Sequence, residues 1–247
     1  MKISIITATY NSAATVADTI ESVANQSYQN IEHLIIDGLS KDNTLDVVKN
    51  SKHKGPIFSE KDKGIYDAMN KGIAKASGDI IGILNSDDFY ASNDIIQQVA
   101  NLFATTNCDL LYGDLYFIDQ NNTSKVKRKW ISGNYKLKDF IYGWMPPHPT
   151  FFVRKEVYEK YGMFNMDLGS AADYELMLRF MYKRQLKTAY LNKVMVLFRI
   201  GGASTKNINN RVKANINDRK AWVINGLTPK WFTLHLKPLR KIKQFLR

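Results

Sequence analysis

Residues 60–88 read EKDKGIYDAMNKGIAKASGDIIGILNSDD, which predicts a helix, a buried strand and an acidic turn in that order. From Ile65 to Ala76, apolar side chains recur at the spacing of one helix face. GDIIGIL is then an unbroken apolar run, which is typical of a parallel strand covered on both faces. The strand ends in NSDD at residues 85–88, so carboxylates directly follow a segment that we expect to be interior.

The same alternation extends in both directions from this stretch. KISIITATYN, IEHLIID and PIFSE are three further short strands, and a helical pattern also follows the NSDD turn. After Asp109 the alternation stops, and DLLYGDLYFID and VKRKWISG indicate antiparallel strands. The order of elements predicts the α/β class, with an open, mostly parallel sheet that carries helices on both faces.

Length and composition fit one large globular domain, since 45% of the 247 residues are apolar and 23% are charged. The lone cysteine, Cys108, cannot form an internal disulfide, which favours a reducing compartment.

No run approaches the roughly 20 apolar residues of a membrane-spanning helix. The apolar run that follows Met1-Lys2 is interrupted by polar residues, so it is a poor match to the apolar region of a signal peptide. We therefore expect a soluble, cytoplasmic body.

The net charge of +12 is spread unevenly along the chain. Residues 206–247 hold eleven Lys and Arg residues but one acid, Asp218, so this segment carries +10 and residues 1–205 carry +2. A near-neutral body without a recognised nucleic-acid motif argues against nucleic acid as the partner. The body and the basic segment therefore need separate explanations.

Two common phosphate-binding loops are missing from the sequence. No G-x-G-x-x-G follows the first strand, and G-x-x-x-x-G-K-[ST] is absent, so a dinucleotide or P-loop site has little support. The strand ends instead carry TATYN, DGLSKDNT, EKDKG and NSDD. An open α/β sheet binds its ligand beyond the carboxyl ends of its strands, so these polar segments mark the expected site.

Acidic residues at these ends suggest a metal and nucleotide site. Buried carboxylates such as Asp87 and Asp88 are costly unless paired or metal-bound, and Mg²⁺ typically takes one or two of them plus phosphate oxygens. The carboxylates of Asp37 and Asp62 are expected at strand ends, where they can accept hydrogen bonds from the N–H of a base or from a ribose hydroxyl. For all four, an ordinary turn is the alternative. Asp173 begins a predicted helix, where it is either a general base or a helix cap.

Six stretches occur in the order found in one known enzyme family. They are SIITATYN, IIDGLSKDNT, the stretch from EKDKG to NSDD, HPTFF, SAADYELMLRF and FRIGGAST, and together they span roughly residues 3–205. In this series the chain resembles a family-2 glycosyltransferase of the GT-A fold, of the bacterial polysaccharide-biosynthesis type. The resemblance implies a GT-A domain over residues 1–205, with a nucleotide-binding half (1–108) and an acceptor half (109–205). A basic, amphipathic C-terminal helical tail would follow at 206–247.

The resemblance also implies a role for individual residues. Asp173 corresponds to the base that deprotonates the acceptor hydroxyl, and Asp87 to the ligand of Mn²⁺ or Mg²⁺ beneath the donor diphosphate. Asp88 and His148 fall where donor and acceptor meet. The matches to the family's nucleotide contacts are Thr9, Tyr10, Asp37, Asp62, Asn70, Asn85 and Ser86. Asn85 departs from the D-x-D pattern, because an amide there removes one negative charge from the expected metal site.

The implied activity is an inverting transfer from a nucleotide-sugar, expected to be a UDP-sugar, to a hydroxyl of a glycan or polyprenyl-diphosphate-linked acceptor. Two alternatives stay open at this point. A sugar-phosphate nucleotidyltransferase usually has a Gly- and Lys/Arg-rich loop after the first strand, which TATYNSAAT lacks. A non-catalytic module that binds a membrane or polyanion is disfavoured by the intact Asp87 and Asp173.

The basic segment 206–247 has apolar residues opposite Lys and Arg, the pattern of a helix lying on an anionic membrane. We therefore expect peripheral attachment to the inner face of the plasma membrane. Packing of this segment on the body or on a second subunit is the alternative, and the oligomeric state is left open.

Overall fold

Strands and helices alternate through the first hundred residues, as the sequence predicts. A computed structural model describes residues 1–201, 208–240 and 242–245, and the elements below belong to those ranges. The strands are β1 (Ile3–Thr9), β2 (Ile31–Asp37), β3 (Ile57–Ser59), β4 (Ile80–Ile83), β5 (Phe89–Tyr90), β6 (Leu110–Ile118), β7 (Val126–Trp130), β8 (Phe152–Arg154) and β9 (Thr188–Arg199). The helices are α1 (Val16–Ala24), α2 (Thr44–Lys49), α3 (Ile65–Lys75), α4 (Ile95–Thr106), α5 (Lys155–Tyr161), α6 (Ala172–Met177), α7 (Ile208–Ile224) and α8 (Thr233–Arg240).

All these strands join one sheet in the order β3-β2-β1-β4-β8-β6-β9-β5, and β7 pairs with β6 outside this path. The strands β3, β2, β1 and β4 are mutually parallel, as expected for strands joined by helical crossovers. β8 then runs antiparallel to both β4 and β6, whereas β6 and β9 are parallel. The α/β class is confirmed, and the half of the sheet that follows β4 is mixed.

Helices cover both faces of the sheet formed by β3, β2, β1 and β4. α3 packs on the face that carries Ile6 and Ile36, and α1, α2 and α4 pack on the opposite face. The approach of α3 is close, because a Cβ atom at Gly72 would lie 2.4 Å from a methyl group of Ile6. With both faces covered, β1 is buried over its whole length. The polar segments that follow the strands lie at their carboxyl ends, outside this covered region.

The part of the chain that follows residue 108 is built around β6 and α6. α6 starts at Ala172 and continues as a π-helical turn over Leu178–Lys183, which matches the helix predicted near residues 172–184. The predicted antiparallel pair in this part is confirmed as β6 and β7. Short 3₁₀ turns, one of which spans His148–Thr150, connect the remaining strands. These turns and the start of α6 hold the predicted catalytic residues.

α7 and α8 lie within the segment predicted to be a tail, and they pack against the body. Trp222 of α7 is 1% exposed and joins the same core cluster as Tyr174 of α6. In contrast, Trp231 is 80% exposed and Leu239 is 55% exposed. A separate tail from residue 206 stays a prediction. Residues 202–207, 241, 246 and 247 lie outside the described residues, and they include the end of FRIGGAST and the first two residues of that tail. No helix in the described ranges is long and apolar enough to cross a bilayer.

Candidate active site

The carboxyl ends of β1, β2 and β3 place predicted nucleotide contacts side by side. Thr9 is paired in register with Asp37, and Asp37 with Ser59. The Asp37 carboxylate is fully buried and accepts hydrogen bonds from the Ser59 hydroxyl at 2.7 Å and from the Ser40 hydroxyl at 2.5 Å. The backbone N–H of Ser40 donates a further bond at 3.1 Å. Asp37 is therefore fixed at the sheet edge as a hydrogen-bonded carboxylate.

Tyr10, Gly38 and Asp62 form one surface beside Asp37. A Cβ atom at Gly38 would lie 2.3 Å from Asp62 Oδ2 and 3.5 Å from the Tyr10 ring, so glycine leaves just enough room for the carboxylate. Asp62 Oδ1 accepts from the backbone N–H of Gly64 at 2.8 Å. Tyr10 is 55% exposed. An exposed aromatic ring can stack on a nucleotide base. The oriented carboxylate beside it can accept a hydrogen bond from an N–H group of that base.

The NSDD turn is tied to the segment that follows β1. The hydroxyls of Ser86 and Ser12 are 2.9 Å apart, and Thr15 Oγ1 donates to the Ser86 backbone oxygen at 2.9 Å. Thr19 Oγ1 donates to the backbone oxygen of Asp88 at 2.7 Å. The ends of β1 and β4 thus form one hydrogen-bonded unit.

Asp87 and Asp88 take different environments within this turn. Asp88 is fully buried, where it accepts from Asn85 Nδ2 at 2.7 Å and from the Arg199 backbone N–H at 3.1 Å. Burial, together with the charge of Asp87, raises the pKa of Asp88 well above its usual value. A contact of Asp88 with the sugar donor or with the acceptor substrate stays a prediction. The position itself shows Asp88 holding the turn together.

Asp87 is the carboxylate of the turn that remains partly accessible. Burial raises its pKa, and the charges of Arg199 and His148 partly offset that effect. Arg199 Nη1 also donates to the Asp87 backbone oxygen at 2.7 Å and so fixes the residue. Among the described residues, none other than Asp87 itself donates a hydrogen bond to its carboxylate. Its negative charge is therefore held in position and incompletely compensated.

These features fit a divalent cation held by few protein ligands. No three His, Cys, Asp or Glu side chains of the described residues gather around one point that a metal could occupy. Mg²⁺ and Mn²⁺ often use one or two carboxylates and take their other ligands from substrate phosphates and water. Asp87 fits such a cation, and Asn85 Oδ1, which is buried and has no hydrogen-bond partner in the described ranges, lies in the same turn.

Asp173 and His148 form a pair across the acceptor half. His148 Nδ1 lies 3.3 Å from Asp173 Oδ2, and their side chains are 31% and 15% exposed. Burial alone would raise the pKa of Asp173, but the hydrogen bond and charge of His148, with the charge of Lys237, hold it below its usual value. Burial and the nearby Asp173 charge raise the pKa of Tyr66, so its hydroxyl stays protonated. Asp173 is thus ionised and oriented, as a general base must be.

The pocket that contains this pair is otherwise apolar. It is lined by His148 and Asp173 together with Ile83, Phe151, Tyr158, Phe164, Leu176 and Met177. A low-dielectric surrounding strengthens the interaction between the two polar side chains. The pocket therefore holds the predicted base beside one imidazole.

Asn70, another predicted nucleotide contact, has a protein partner at both of its polar side-chain atoms. Its Nδ2 donates to the Phe164 backbone oxygen at 2.9 Å, and its Oδ1 accepts from the Phe164 N–H at the same distance. It therefore clamps α3 to the segment before α6, and a contact with nucleotide stays a prediction. Sequence reasoning missed Arg199, although it stands inside the FRIGGAST motif. Thr9 lies at the strand end as predicted, and its hydroxyl is buried without a partner in the described ranges.

Comparisons with known proteins identify the class to which this sheet, with acids at its strand ends and an Asp–His pair beyond them, belongs. The profile of the family described as "Glycosyl transferase family 2" matches residues 4–162. An uncharacterized glycosyltransferase of Mycobacterium tuberculosis is 33% identical over 183 residues, which cover 72% of this chain and 68% of that protein. The chain therefore belongs to glycosyltransferase family 2.

Further relatives extend the match beyond residue 162. A "PGL/p-HBAD biosynthesis glycosyltransferase" of Mycobacterium bovis is 29% identical over 207 residues, which cover 81% of this chain and 78% of that protein. The crystal structure of Staphylococcus aureus TarS 1–349 with UDP superposes with a TM-score of 0.70 at 19% identity, covering 100% of this chain and 71% of that one. A Pyrobaculum calidifontis mannosyltransferase with GDP-Man and Mn²⁺ gives 0.65 at 16% identity, covering 96% and 68%. These likenesses confirm the GT-A-type fold.

Proposed function

We propose that the protein is an inverting, metal-dependent glycosyltransferase that moves a sugar from a UDP-sugar to a hydroxyl of a glycan or lipid-linked acceptor. One observation carries the proposal. His148 Nδ1 lies 3.3 Å from Asp173 Oδ2, so an imidazole orients the predicted base inside a largely apolar pocket. An inverting displacement needs a base on the side of the anomeric carbon opposite the leaving diphosphate, because the acceptor hydroxyl attacks from that side.

The donor site is assigned to the ends of β1, β2 and β3. Tyr10 offers an exposed ring, and Asp37 and Asp62 offer carboxylates that neighbouring hydrogen bonds orient. Thr9, Ser86 and Asn85 border the same edge. Support comes from TarS, solved with UDP and with UDP-GlcNAc, and from the mannosyltransferase, solved with GDP-Man. UDP is the nucleotide we expect here.

Asp87 would hold Mn²⁺ or Mg²⁺ in this site, with Asn85 in the same turn. A cation bound there offsets the negative charge that develops on the leaving nucleoside diphosphate. Support comes from the incompletely compensated Asp87 charge and from Mn²⁺ in the mannosyltransferase complex. Arg199 orients Asp87 through its backbone oxygen.

Asp173 takes the proton of the acceptor hydroxyl as that oxygen bonds to the anomeric carbon. The bond from that carbon to the diphosphate oxygen breaks, and its electron pair leaves with the diphosphate, so configuration inverts. His148 orients the carboxylate, and the apolar lining limits access of water to it. A positioned general base typically accelerates such a step by about 10²–10⁴-fold.

We expect the acceptor substrate to be a cell-surface glycan or glycolipid. The Mycobacterium bovis relative is named for PGL/p-HBAD biosynthesis. Residues 206–247 carry a charge of +10, and exposed Trp231, Leu239 and Ile242 lie in that segment. Basic residues beside exposed apolar ones favour an anionic membrane surface. We place the enzyme in the cytoplasm, peripherally on the inner face of the plasma membrane.

A thermal-shift panel tests the donor and the metal together. Mn²⁺ and each of UDP, UDP-glucose, UDP-galactose and UDP-GlcNAc are added to the full-length protein, and stabilisation should follow RT ln(1 + [L]/Kd). We expect shifts that require both a UDP ligand and Mn²⁺, and that disappear in Asp87→Ala. Equal shifts without metal would remove the metal role. Inversion is tested by following hydrolysis of the best donor by NMR and reading the anomeric configuration of the free sugar as it forms. A sugar that keeps the anomeric configuration of the donor would contradict inversion.

A further inference from the structure

Three consecutive residues at the start of α6 each make a tertiary contact. Asp173 contacts His148, Tyr174 contacts α7 and α8, and Glu175 contacts Arg179 and Asn225, which directly follows α7. No side-chain cap bonds the N-terminal end of α6. An uncapped first turn leaves backbone N–H groups without helical partners, so tertiary contacts help to set its direction.

Tyr174 is held from two sides by the last helices of the described chain. Its hydroxyl accepts a hydrogen bond of 2.8 Å from Trp222 Nε1 on α7. The Lys237 ammonium on α8 lies 3.5 Å from the centre of its ring. Tyr174 is 1% exposed, so both contacts are shielded from water. The residue that directly follows Asp173 is therefore fixed in place.

Lys237 is itself oriented by Asp218 on α7. Its Nζ lies 2.8 Å from both carboxylate oxygens, and the two side chains are 15% and 11% exposed. An ion pair shielded this far from water adds little net stability, because desolvation offsets much of the attraction. The pair therefore contributes more to orientation than to stability, and it directs an ammonium group at the Tyr174 ring.

Glu175 completes the support of this turn. Its Oε1 accepts from Asn225 Nδ2 at 2.9 Å, and Arg179 binds both carboxylate oxygens at 2.9 Å. Arg179 also donates to the backbone oxygens of residues 161–163. Since Asn225 and Trp222 both belong to the α7 end, the contacts of Tyr174 and Glu175 meet at one place.

We propose that Lys237 is a positioning residue for Asp173. It holds the Tyr174 ring, and with it the first turn of α6, in the orientation that directs the Asp173 carboxylate at His148. Among the described residues, the charged or titratable groups that act on Asp173 include His148, Tyr66 and Lys237, and the charges of His148 and Lys237 lower its pKa. The inference rests on the proposed role of Asp173 as the general base. It makes a helix outside the predicted 1–205 domain part of the catalytic apparatus.

The test uses the full chain carrying Asp218→Asn and Lys237→Met together. This double variant removes both charges of the ion pair, so no uncompensated buried charge is left. The assay measures UDP release to water from the UDP-sugar that gives the largest thermal shift. We expect kcat to fall at least about tenfold, since small misplacements of catalytic groups are costly. KM and the thermal shift with UDP and Mn²⁺ should be unchanged. The acidic limb of the pH–kcat profile should move to higher pH, and Lys237→Arg alone should keep most of the rate.

A control removes another Lys–Asp pair, which is more exposed and lies on other elements. Lys193 binds both oxygens of Asp94 at 2.9 and 2.7 Å, and Asp94→Asn with Lys193→Met should leave kcat and its pH profile unchanged. If the first double variant does not fold, Lys237→Gln replaces it, since an amide can still donate to Asp218. Wild-type kcat and pH profile in a folded variant would overturn the inference while leaving the role of Asp173 intact. Wild-type turnover in Asp173→Asn would instead overturn the proposed base, and this inference with it.

Discussion

Arg199 donates a hydrogen bond of 2.7 Å from Nη1 to the backbone oxygen of Asp87. The same residue donates its backbone N–H to Asp88, and its Nη2 is paired with Asp18. Arg199 is 5% exposed although it ends β9, which lies far from the NSDD turn in sequence. The predicted metal ligand is thus positioned by the last strand of the sheet.

Replacing Arg199 with Met should lower both stability and metal-dependent donor binding. Hydrogen bonds from a charged group contribute about 1.5–3 kcal/mol, and each kcal/mol shifts Tm by about 2–4 °C in a chain of this size. We expect Tm to fall by at least about 3 °C and the additional shift with UDP and Mn²⁺ to shrink. Asp18→Asn is the control, because it leaves the bond to Asp87 in place. A full UDP and Mn²⁺ shift in Arg199→Met would show that Arg199 does not orient Asp87.

Gly38→Ala should displace Asp62 and weaken donor binding. The added methyl group would lie 2.3 Å from Asp62 Oδ2, which the flexible carboxylate can relieve by moving. Loss of one good hydrogen bond to the base should raise the Kd for UDP by about tenfold. Isothermal titration with UDP and Mn²⁺ measures this, and Tm should change little. Asp62→Asn should give a similar loss, and combining the two should add nothing further. Fully additive losses would mean that Gly38 acts through another group.

Acid should destabilise the protein partly through His33. Burial, together with the charge of His53, lowers the pKa of His33 to about 3, so the folded protein keeps it neutral. The unfolded chain binds a proton there below a pH of about 6.5, so stability falls as pH drops from about 6.5 towards 3. Tm measured between pH 7 and 4 should fall less steeply in His33→Phe than in the wild type. Exposed His235 supplies the control variant His235→Gln, which should keep the wild-type slope. Equal slopes for His33→Phe and the wild type would refute this assignment.

Membrane binding should depend on charge near the end of α8. Arg240 lines a surface hollow with Tyr142, Leu236 and Leu239, and each basic residue near an anionic surface contributes about 1 kcal/mol. Arg240→Glu should therefore weaken co-sedimentation with phosphatidylglycerol-containing vesicles by about tenfold or more. Lys52→Glu makes the same charge change on an exposed side chain between α2 and β3 and should have little effect. Equal losses in both variants would indicate a response to net charge alone, and no loss in Arg240→Glu would exclude this face.

The sequence predicted the local order of the nucleotide half because its signals are local. Apolar runs ending in TATYN and NSDD located β1 and β4, and the start of α6 placed Asp173 in a first helical turn. The same patterns say nothing about which distant strands pair. The insertion of β8 between β4 and β6, and the return of Arg199 to the NSDD turn, depend on contacts across 70 to 110 residues.

Side-chain direction was the second feature that sequence could not supply. Asp87 and Asp88 are adjacent and chemically identical, yet one stays partly accessible and the other is buried against Asn85. Helical amphipathy likewise does not tell a protein-facing surface from a membrane-facing one. Trp222 meets Tyr174 in the core, whereas Trp231 is exposed to solvent, and both lie in the same basic segment.

The base assignment is tested most directly by comparing Asp173→Asn with the wild type. The amide keeps the size of the carboxylate but cannot take a proton, so the variant should bind UDP and Mn²⁺ with an unchanged thermal shift. Its rate of UDP release from the best UDP-sugar should fall by about 10²–10⁴-fold, the usual contribution of a general base. Wild-type turnover in a folded Asp173→Asn variant would contradict the proposed mechanism.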